Sequence, residues 1–354
     1  MTTPHEIALL RLVAQGIAGP RQPRAVDVVR WLTAMQAQDL PGALTSAALR
    51  LAAPDRAQVV LALSSGEVVR SWPMRGTLHL AAAADLVWLV ELLAPRMLAG
   101  LAARQRQLEL DHEQLERARS LAVDALSGGR RLRRAELTAA WESGGLSTAG
   151  QRGYHMIAYL AQTGTLCFGP MAGTEQLLVL VDEWVHHPRR LDRDEALGEL
   201  ALRYFRSHGP ATAKDLARWG QLTAADVRTG IATARPELER LEVDGVEHLL
   251  DPRTPELLAA HRHEARGVFL LPGFDELVLG YRDRTAVVPA EFADAIVPGG
   301  NGVFRATVVA DGTAVGTWKH TGKGDRRTIS ATPFSAFTAA VVEAIPEVYG
   351  ALPG

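Results

Sequence analysis

The sequence predicts an α+β chain in which one arrangement of helices and a short hairpin recurs three times before a β-rich C-terminal region. Three observations carry that prediction. With 354 residues, 47% of them apolar, the chain can bury a large core, and its length suggests two to four modules. A helix, a Gly-containing turn, a second helix ending at or near a tryptophan and two extended runs recur at intervals of roughly 70–110 residues. From about Gly267 the pattern changes to alternating strands joined by Gly-rich turns.

The first copy opens with the helical stretch MTTPHEIALLRLVAQ and turns at residues 19–23 into a helix over 25–32. A further helix over 42–51 follows Pro41, and helical spacing resumes at 58–63 before extended runs at 68–72 and 76–80. The second copy passes from 121–126 through Ser127-Gly128-Gly129 into 134–141, then through Gly144-Gly145 into 154–160, and ends in strands at 166–169 and 176–180. The third reads 200–205, a turn at 207–210, helices over 213–219 and 223–234, and a hairpin of 241–243 with 247–250 about Asp244-Gly245. After a junction at 262–266 come strands within 268–275, 307–312 and 314–319, and one helix near 333–344.

Trp31, Trp141 and Trp219 occupy the same place in each copy and read as core anchors, because a ring at the end of an amphipathic helix buries a large apolar area. Equivalent anchors imply equivalent folds. The element order is that of a winged helix-turn-helix, which sets one helix in a DNA groove and its hairpin along the backbone, and which also serves protein interaction. The expected units are residues 1–95, 96–188 and 189–262, with a β-rich domain over 263–354.

Net charge is −2, but residues 1–134 carry 17 Lys+Arg against 12 Asp+Glu, whereas 135–354 carry 21 against 28. The basic side is N-terminal, and phosphate neutralisation, on which DNA affinity rests, falls there. The single cysteine, Cys167, excludes a disulfide framework and a Cys-based zinc finger and fits a reducing compartment. The N-terminus lacks a basic n-region and an apolar h-region, and no run approaches the roughly 18 apolar residues of a membrane span. A cytoplasmic protein is expected, nucleoid-associated when bound to DNA. His186-His187 and His261-x-His263 have no Cys or carboxylate partner at ligand spacing, so neither metal nor cofactor is expected.

The most informative short segment is Met35-Gln36-Ala37-Gln38-Asp39-Leu40-Pro41. On a regular helix the two glutamines would lie about 200° apart and share no target. Pro41 disfavours helical geometry at Leu40, so a helix end is expected here, where two amides can converge with Asp39 beside them. Spacing alone favours two glutamines simply exposed at a helix end.

Five segments, WLTAMQAQDLPGALTSAALRL (31–51), SWPMRGTLHL (71–80), SHGPATAKDLARW (207–219), LLPGFDELVLGYRDR (270–284) and GVFRATVVADGTAVGTWKH (302–320), together resemble the winged-helix family of bacterial alkylpurine DNA glycosylases, the AlkZ/YcaQ-like proteins. The resemblance runs in order over nearly the whole chain. It fits three tandem winged helix-turn-helix units in an open C-shaped array plus a C-terminal β-barrel-like domain, which the residues themselves read as a small β-barrel or sheet. It also implies that a Gln-x-Gln element carries catalysis, and that element falls on Gln36 and Gln38. An N7- or N3-alkylated purine is cationic and departs as a neutral base without a strong general acid. What remains is to place a water at C1′ against an oxocarbenium-like transition state, which two amides can do by hydrogen bonding. The expected activity is monofunctional hydrolysis of the N-glycosidic bond, possible targets extending to interstrand crosslinks and bulky genotoxin adducts. No lysine lies in residues 1–213, which argues against Schiff-base chemistry by an N-terminal amine.

Candidate DNA contacts follow from basic residue types. Arg75 and His79 either face the DNA backbone or serve a structural turn around Trp72 and Leu78. Arg130, Arg131, Arg133 and Arg134 surround one leucine beside a helix start and can hold phosphates, with Arg104 and Arg106 extending that face. Phe274-Asp275-Glu276 and Tyr281-Arg282-Asp283-Arg284 either pair with arginine inside the protein or touch the DNA backbone. The expected partner is double-stranded DNA carrying alkylated purines, met by a monomer. A non-catalytic DNA-binding regulator or lesion sensor, and an interaction scaffold, are the rival readings.

Overall fold

Capping chemistry starts many of the helices. The computed structural model describes residues 2–322 and 327–354, so Lys323 lies outside the described residues. The Thr3 hydroxyl accepts the Glu6 N–H and Pro4 opens α1 (Pro4–Ala14). There follow α2 (Ala25–Leu32), a short strand β1 (Ala34–Gln36), α3 (Leu40–Ala48) and α4 (Arg56–Ser65). The hairpin β2 (Val68–Met74) and β3 (Thr77–Ala82) turns at Arg75 and Gly76, whose φ of 56° and 68° are what a type I′ turn requires. Next come α5 (Leu86–Gly100), α6 (Ala102–Gln107), α7 (His112–Leu126), α8 (Arg134–Ser143), α9 (Arg152–Gln162), β4 (Leu166–Ala172), β5 (Glu175–Leu180) and α10 (Val181–Trp184).

The remainder runs α11 (Arg193–His208), α12 (Ala213–Gly220), α13 (Ala224–Ala234), β6 (Glu239–Val243), β7 (Val246–Leu250), α14 (Thr254–Ala265), β8 (Val268–Leu271), α15 (Glu276–Leu279), α16 (Ala293–Ile296), β9 (Thr307–Ala310), β10 (Thr313–Thr321), β11 (Thr328–Pro333) and α17 (Ala339–Gly350). Capping boxes of Thr212 with Asp215 and Thr223 with Asp226 start α12 and α13. Asp244-Gly245 and Asp311-Gly312, both with positive φ, close the β6–β7 and β9–β10 hairpins.

Two units emerge, one of residues 1–58 with 197–354 and the other of residues 59–196. In the second unit the strands run β3-β2-β4-β5, the two hairpins joining where Arg70 faces Phe168. Trp72, Trp141, Leu160 and Phe168 lie in its core. In the first unit β6 pairs β7, and β8 to β11 form an antiparallel sheet in the order β11-β10-β9-β8. Val341 and Ile345 of α17 pack on that sheet with Leu270, Val308 and Trp318.

The C-terminal region is therefore an open four-stranded sheet rather than a closed barrel, since so few short strands fall short of closure and a helix covers their apolar face instead. The last helix starts at Ala339, not near 333, because the Thr338 hydroxyl accepts the Val341 N–H and so caps it there. The expected junction at 262–266 is mostly helix, the end of α14. The tryptophans behave as anchors. Trp141 and Trp219 are buried and Trp31 partly so. Trp31 and Trp141 each donate Nε1–H to a carbonyl of an earlier helix, Ala14 at 2.7 Å and Ala118 at 2.9 Å. Trp219 departs from the pattern and donates to the Glu276 carboxylate at 3.0 Å.

Candidate active site

Gln36 and Gln38 lie in the first unit, on the chain joining α2 to α3. α2 stops at Thr33, whose φ of 69° and ψ of −56° place a β-branched residue in a rare, strained conformation. Thr33 is fully buried, and its hydroxyl finds no hydrogen-bond partner among the described residues. The strained reversal redirects the chain from helix into β1. Gln36 thus ends a strand, where the sequence led us to expect a helix end, and α3 restarts after extended Asp39 with Pro41 in its first turn. The helical 200° separation does not apply.

Gln36 is 7% exposed. Its side-chain Oε1 accepts the Gln38 N–H at 3.1 Å, which folds the loop back on itself. Gln38 and Asp39 are exposed. Asp39 makes no side-chain cap for α3; its carboxylate lies over Gly42, where a Cβ would stand 2.6 Å from Oδ2. Asp39, Pro41 and Gly42 form one wall of a cleft of about 820 Å³ that Phe274, Phe304 and Arg56 also line.

Behind this loop sits a buried polar network whose members are far apart in the chain. Glu276 Oε1 receives the Gln36 N–H at 3.4 Å, while Oε2 receives Trp219 Nε1–H at 3.0 Å and lies 3.3 Å from His208 Nε2. The His208 ring stacks on Tyr204 at 4.7 Å, and its Nδ1 is 2.8 Å from the Ser207 hydroxyl. One residue earlier, Asp275 caps α15 through the Leu277 N–H and forms a forked pair with Arg50 at 2.8 and 2.9 Å. Both side chains are 1% exposed. Arg50 also binds Ser46 and the backbone and side chain of Gln15, and Gln15 donates to Tyr281 at 3.0 Å. Burial holds the Tyr281 and Tyr204 hydroxyls above their ordinary pKa, so both stay protonated and donate, to His208 O at 2.8 Å and Gly280 O at 2.9 Å. The 274–276 segment is thereby assigned: Asp275 pairs with arginine inside the protein and Glu276 supports the Gln36 backbone.

The proposed DNA contacts all fall in the second unit. His79 is fully buried, so its ring does not lie open to a phosphate as expected. Its Nδ1 is 2.9 Å from Thr77 O and must carry the proton, leaving Nε2 to accept from Arg75 Nη2 at 3.0 Å. A neutral imidazole thus orients Arg75 at the hairpin turn. Arg130 is tied to α7 through Ser127 O at 2.9 Å and Asp124 O, a helix C-terminus. Arg131 lies over the Trp184 ring at 4.8 Å and Arg134 over Tyr154 at 5.7 Å, while Arg133 is exposed. Arg104 and Arg106 are exposed on α6. Among the described residues none of these six forms an ion pair, so their charge is available to an anion.

The first unit holds an amide loop backed by a buried carboxylate, and the second holds arginines exposed on α6 and at the start of α8. A family model described as DNA glycosylase AlkZ-like matches residues 29–352, and the chain belongs to that family and is a DNA glycosylase. A curated relative, the "Interstrand DNA cross-link repair glycosylase" of Streptomyces sahachiroi, is 28% identical over 339 residues, spanning 89% of this chain and 87% of its own length. The solved structure of Streptomyces sahachiroi DNA glycosylase AlkZ superimposes with a TM-score of 0.80 at 27% identity, covering 97% of this chain and 94% of that one.

Proposed function

We propose that this glycosylase is monofunctional and hydrolyses the bond between deoxyribose and N7- or N3-alkylated purines, including purines joined in interstrand crosslinks. Gln36 and Gln38 place the attacking water. The observation that carries this is the closed Gln36–Gln38 loop backed by Glu276. Gln36 spends one lone pair of Oε1 on Gln38 and keeps the other, so an acceptor stands fixed beside the exposed Gln38 amide. Fixed dipoles need no reorganisation as charge develops at C1′. The crosslink reading is supported by the name of the Streptomyces sahachiroi relative.

DNA is held in this proposal by Arg75, oriented by His79, and by Arg104, Arg106, Arg131, Arg133 and Arg134, while Arg130 both ties α7 and meets a phosphate. The three sets of helices and hairpin act as winged helix-turn-helix units, and the protein works as a cytoplasmic monomer. Gln36→Ala and Gln38→Ala should each slow single-turnover release of 7-methylguanine by about a hundredfold or more. Alkali treatment of the product DNA should cleave it only after base removal. Release by the double variant at the wild-type rate would refute the assignment.

A further inference from the structure

A second cleft, of about 590 Å³, opens in the first unit between α12 and the stretch that follows α15. Arg218, Arg282 and Arg284 line it beside the Phe304 ring. It also contains two carboxylates, but both are engaged. Asp283 Oδ1 accepts the Thr285 N–H and hydroxyl at 2.9 and 2.6 Å, and Asp294 accepts the Gly299 N–H at 2.7 Å. The buried Asp215 behind them accepts the N–H groups of Arg282 and Asp283 at 2.9 and 3.2 Å. Among the described residues none of the three arginines is ion-paired.

Arg284 is held in place all the same. Its Nε donates to Val278 O at 2.9 Å and its guanidinium sits 5.0 Å from the Phe304 ring centre, so the side chain is fixed at two points. Burial, and then the charge of Arg218, pull its pKa below the ordinary value against the opposing charge of Asp215. Arg218 and Arg284 line one cleft and neither is ion-paired among the described residues, so an anion lying there can take charge-assisted hydrogen bonds from both. A phosphodiester suits planar forks of this kind and an apolar wall suits its sugar.

We propose that this cleft binds a backbone phosphate of the DNA substrate through Arg218 and Arg284, so that the first unit grips the strand as well as holding Gln36 and Gln38. Trp219, next to Arg218 on α12, donates to the Glu276 carboxylate that supports Gln36.

The test is the salt dependence of binding of the full chain to an undamaged duplex. Each lost phosphate contact lowers the slope of log K against log salt by about 0.9. Arg218→Gln is exposed and bears no internal bond, so it should fold and lower the slope by about 0.9; Arg218→Gln/Arg284→Gln should lower it by about 1.8. Arg284→Lys should retain the slope. Arg235→Gln, whose arginine is already paired with Glu247 at 2.7 Å, should leave it unchanged. Half-saturating DNA concentration should rise in the double variant, whereas Gln36→Ala should slow excision at saturation and keep the salt slope, which separates this outcome from failure of the Gln36–Gln38 assignment. An unchanged slope in Arg218→Gln, or an equal drop in Arg235→Gln, overturns the proposal. So does inorganic phosphate, at fixed ionic strength, binding the wild type and not the double variant while both bind DNA alike, for the cleft would then serve a small anion.

Discussion

Replacing Arg50 by methionine removes six hydrogen bonds at once, to Gln15 O and Oε1, Ser46 O and Oγ, and both oxygens of Asp275. Asp275 would keep only the Ser46 hydroxyl at 2.6 Å and the Leu277 N–H at 3.0 Å, and its charge would remain in a site 1% exposed. Removing one partner of a buried pair costs about 3–5 kcal/mol. In a body of roughly 150–250 residues each kcal/mol lowers the melting temperature by about 2–4 °C, so Arg50→Met should melt about 6–20 °C below the wild type. The charge, not the volume, is responsible. Arg50→Met/Asp275→Leu, which removes both charges, should therefore recover most of the loss. Calorimetry on the three proteins, with excision measured well below the transition, separates stability from chemistry. Because Asp275 precedes Glu276, the folded single variant should also excise more slowly. A shift of less than about 2 °C in Arg50→Met would refute the role given to the pair.

Further outcomes follow from the same geometry. Gly280→Ala sets a Cβ 2.6 Å from both Glu276 O and His208 Cδ2, so it should cost about 1–3 kcal/mol on thermal unfolding and slow excision by displacing His208 from Glu276. Burial pushes the Cys167 thiol up to about 12, so iodoacetamide at pH 8 should label it only as the second unit opens; immediate labelling of native protein would contradict its burial. Acid should destabilise the first unit in two stages. Burial lowers the pKa of His248 and His320, so stability present above their ordinary value of about 6.5 is lost as pH falls through their folded values. Hydrogen bonds from Arg262, Arg266 and Thr285 depress Glu6, Asp311 and Asp283, whose contribution is complete above about 4 and lost below it. A melting temperature that rises as pH falls from 7 to 5 would contradict the first stage, and one that rises as pH falls below 4 the second.

Much of the local structure was legible in the residue string. Asp244-Gly245 marked a hairpin because a type I′ turn needs two residues that tolerate positive φ, and the tryptophan at the end of each second helix marked an anchor because an indole there has a helix to bury against. These are properties of neighbours in the chain. The family resemblance likewise singled out Gln36 and Gln38, since it rests on short motifs in order.

What surrounds those glutamines was not legible, because its partners are remote in sequence. Gln36 and Glu276 are 240 positions apart and Arg50 and Asp275 are 225 apart. No helical or strand period links such residues, and Arg50, buried in full, looks in sequence like any solvated arginine. The strand at β1 was missed for the same reason: Pro41 announced a break, but the reversal at Thr33 that makes it a strand is a strained conformation that surrounding packing holds. Whether His79 faces DNA or serves the turn stayed open in the sequence, and the ring is interior, because a hairpin has two faces and the alternation of its side chains says which residues share a face, not which face is covered. Composition and motif order carried the chain to its family; the depth of each charge, and therefore what it is free to bind, followed from packing.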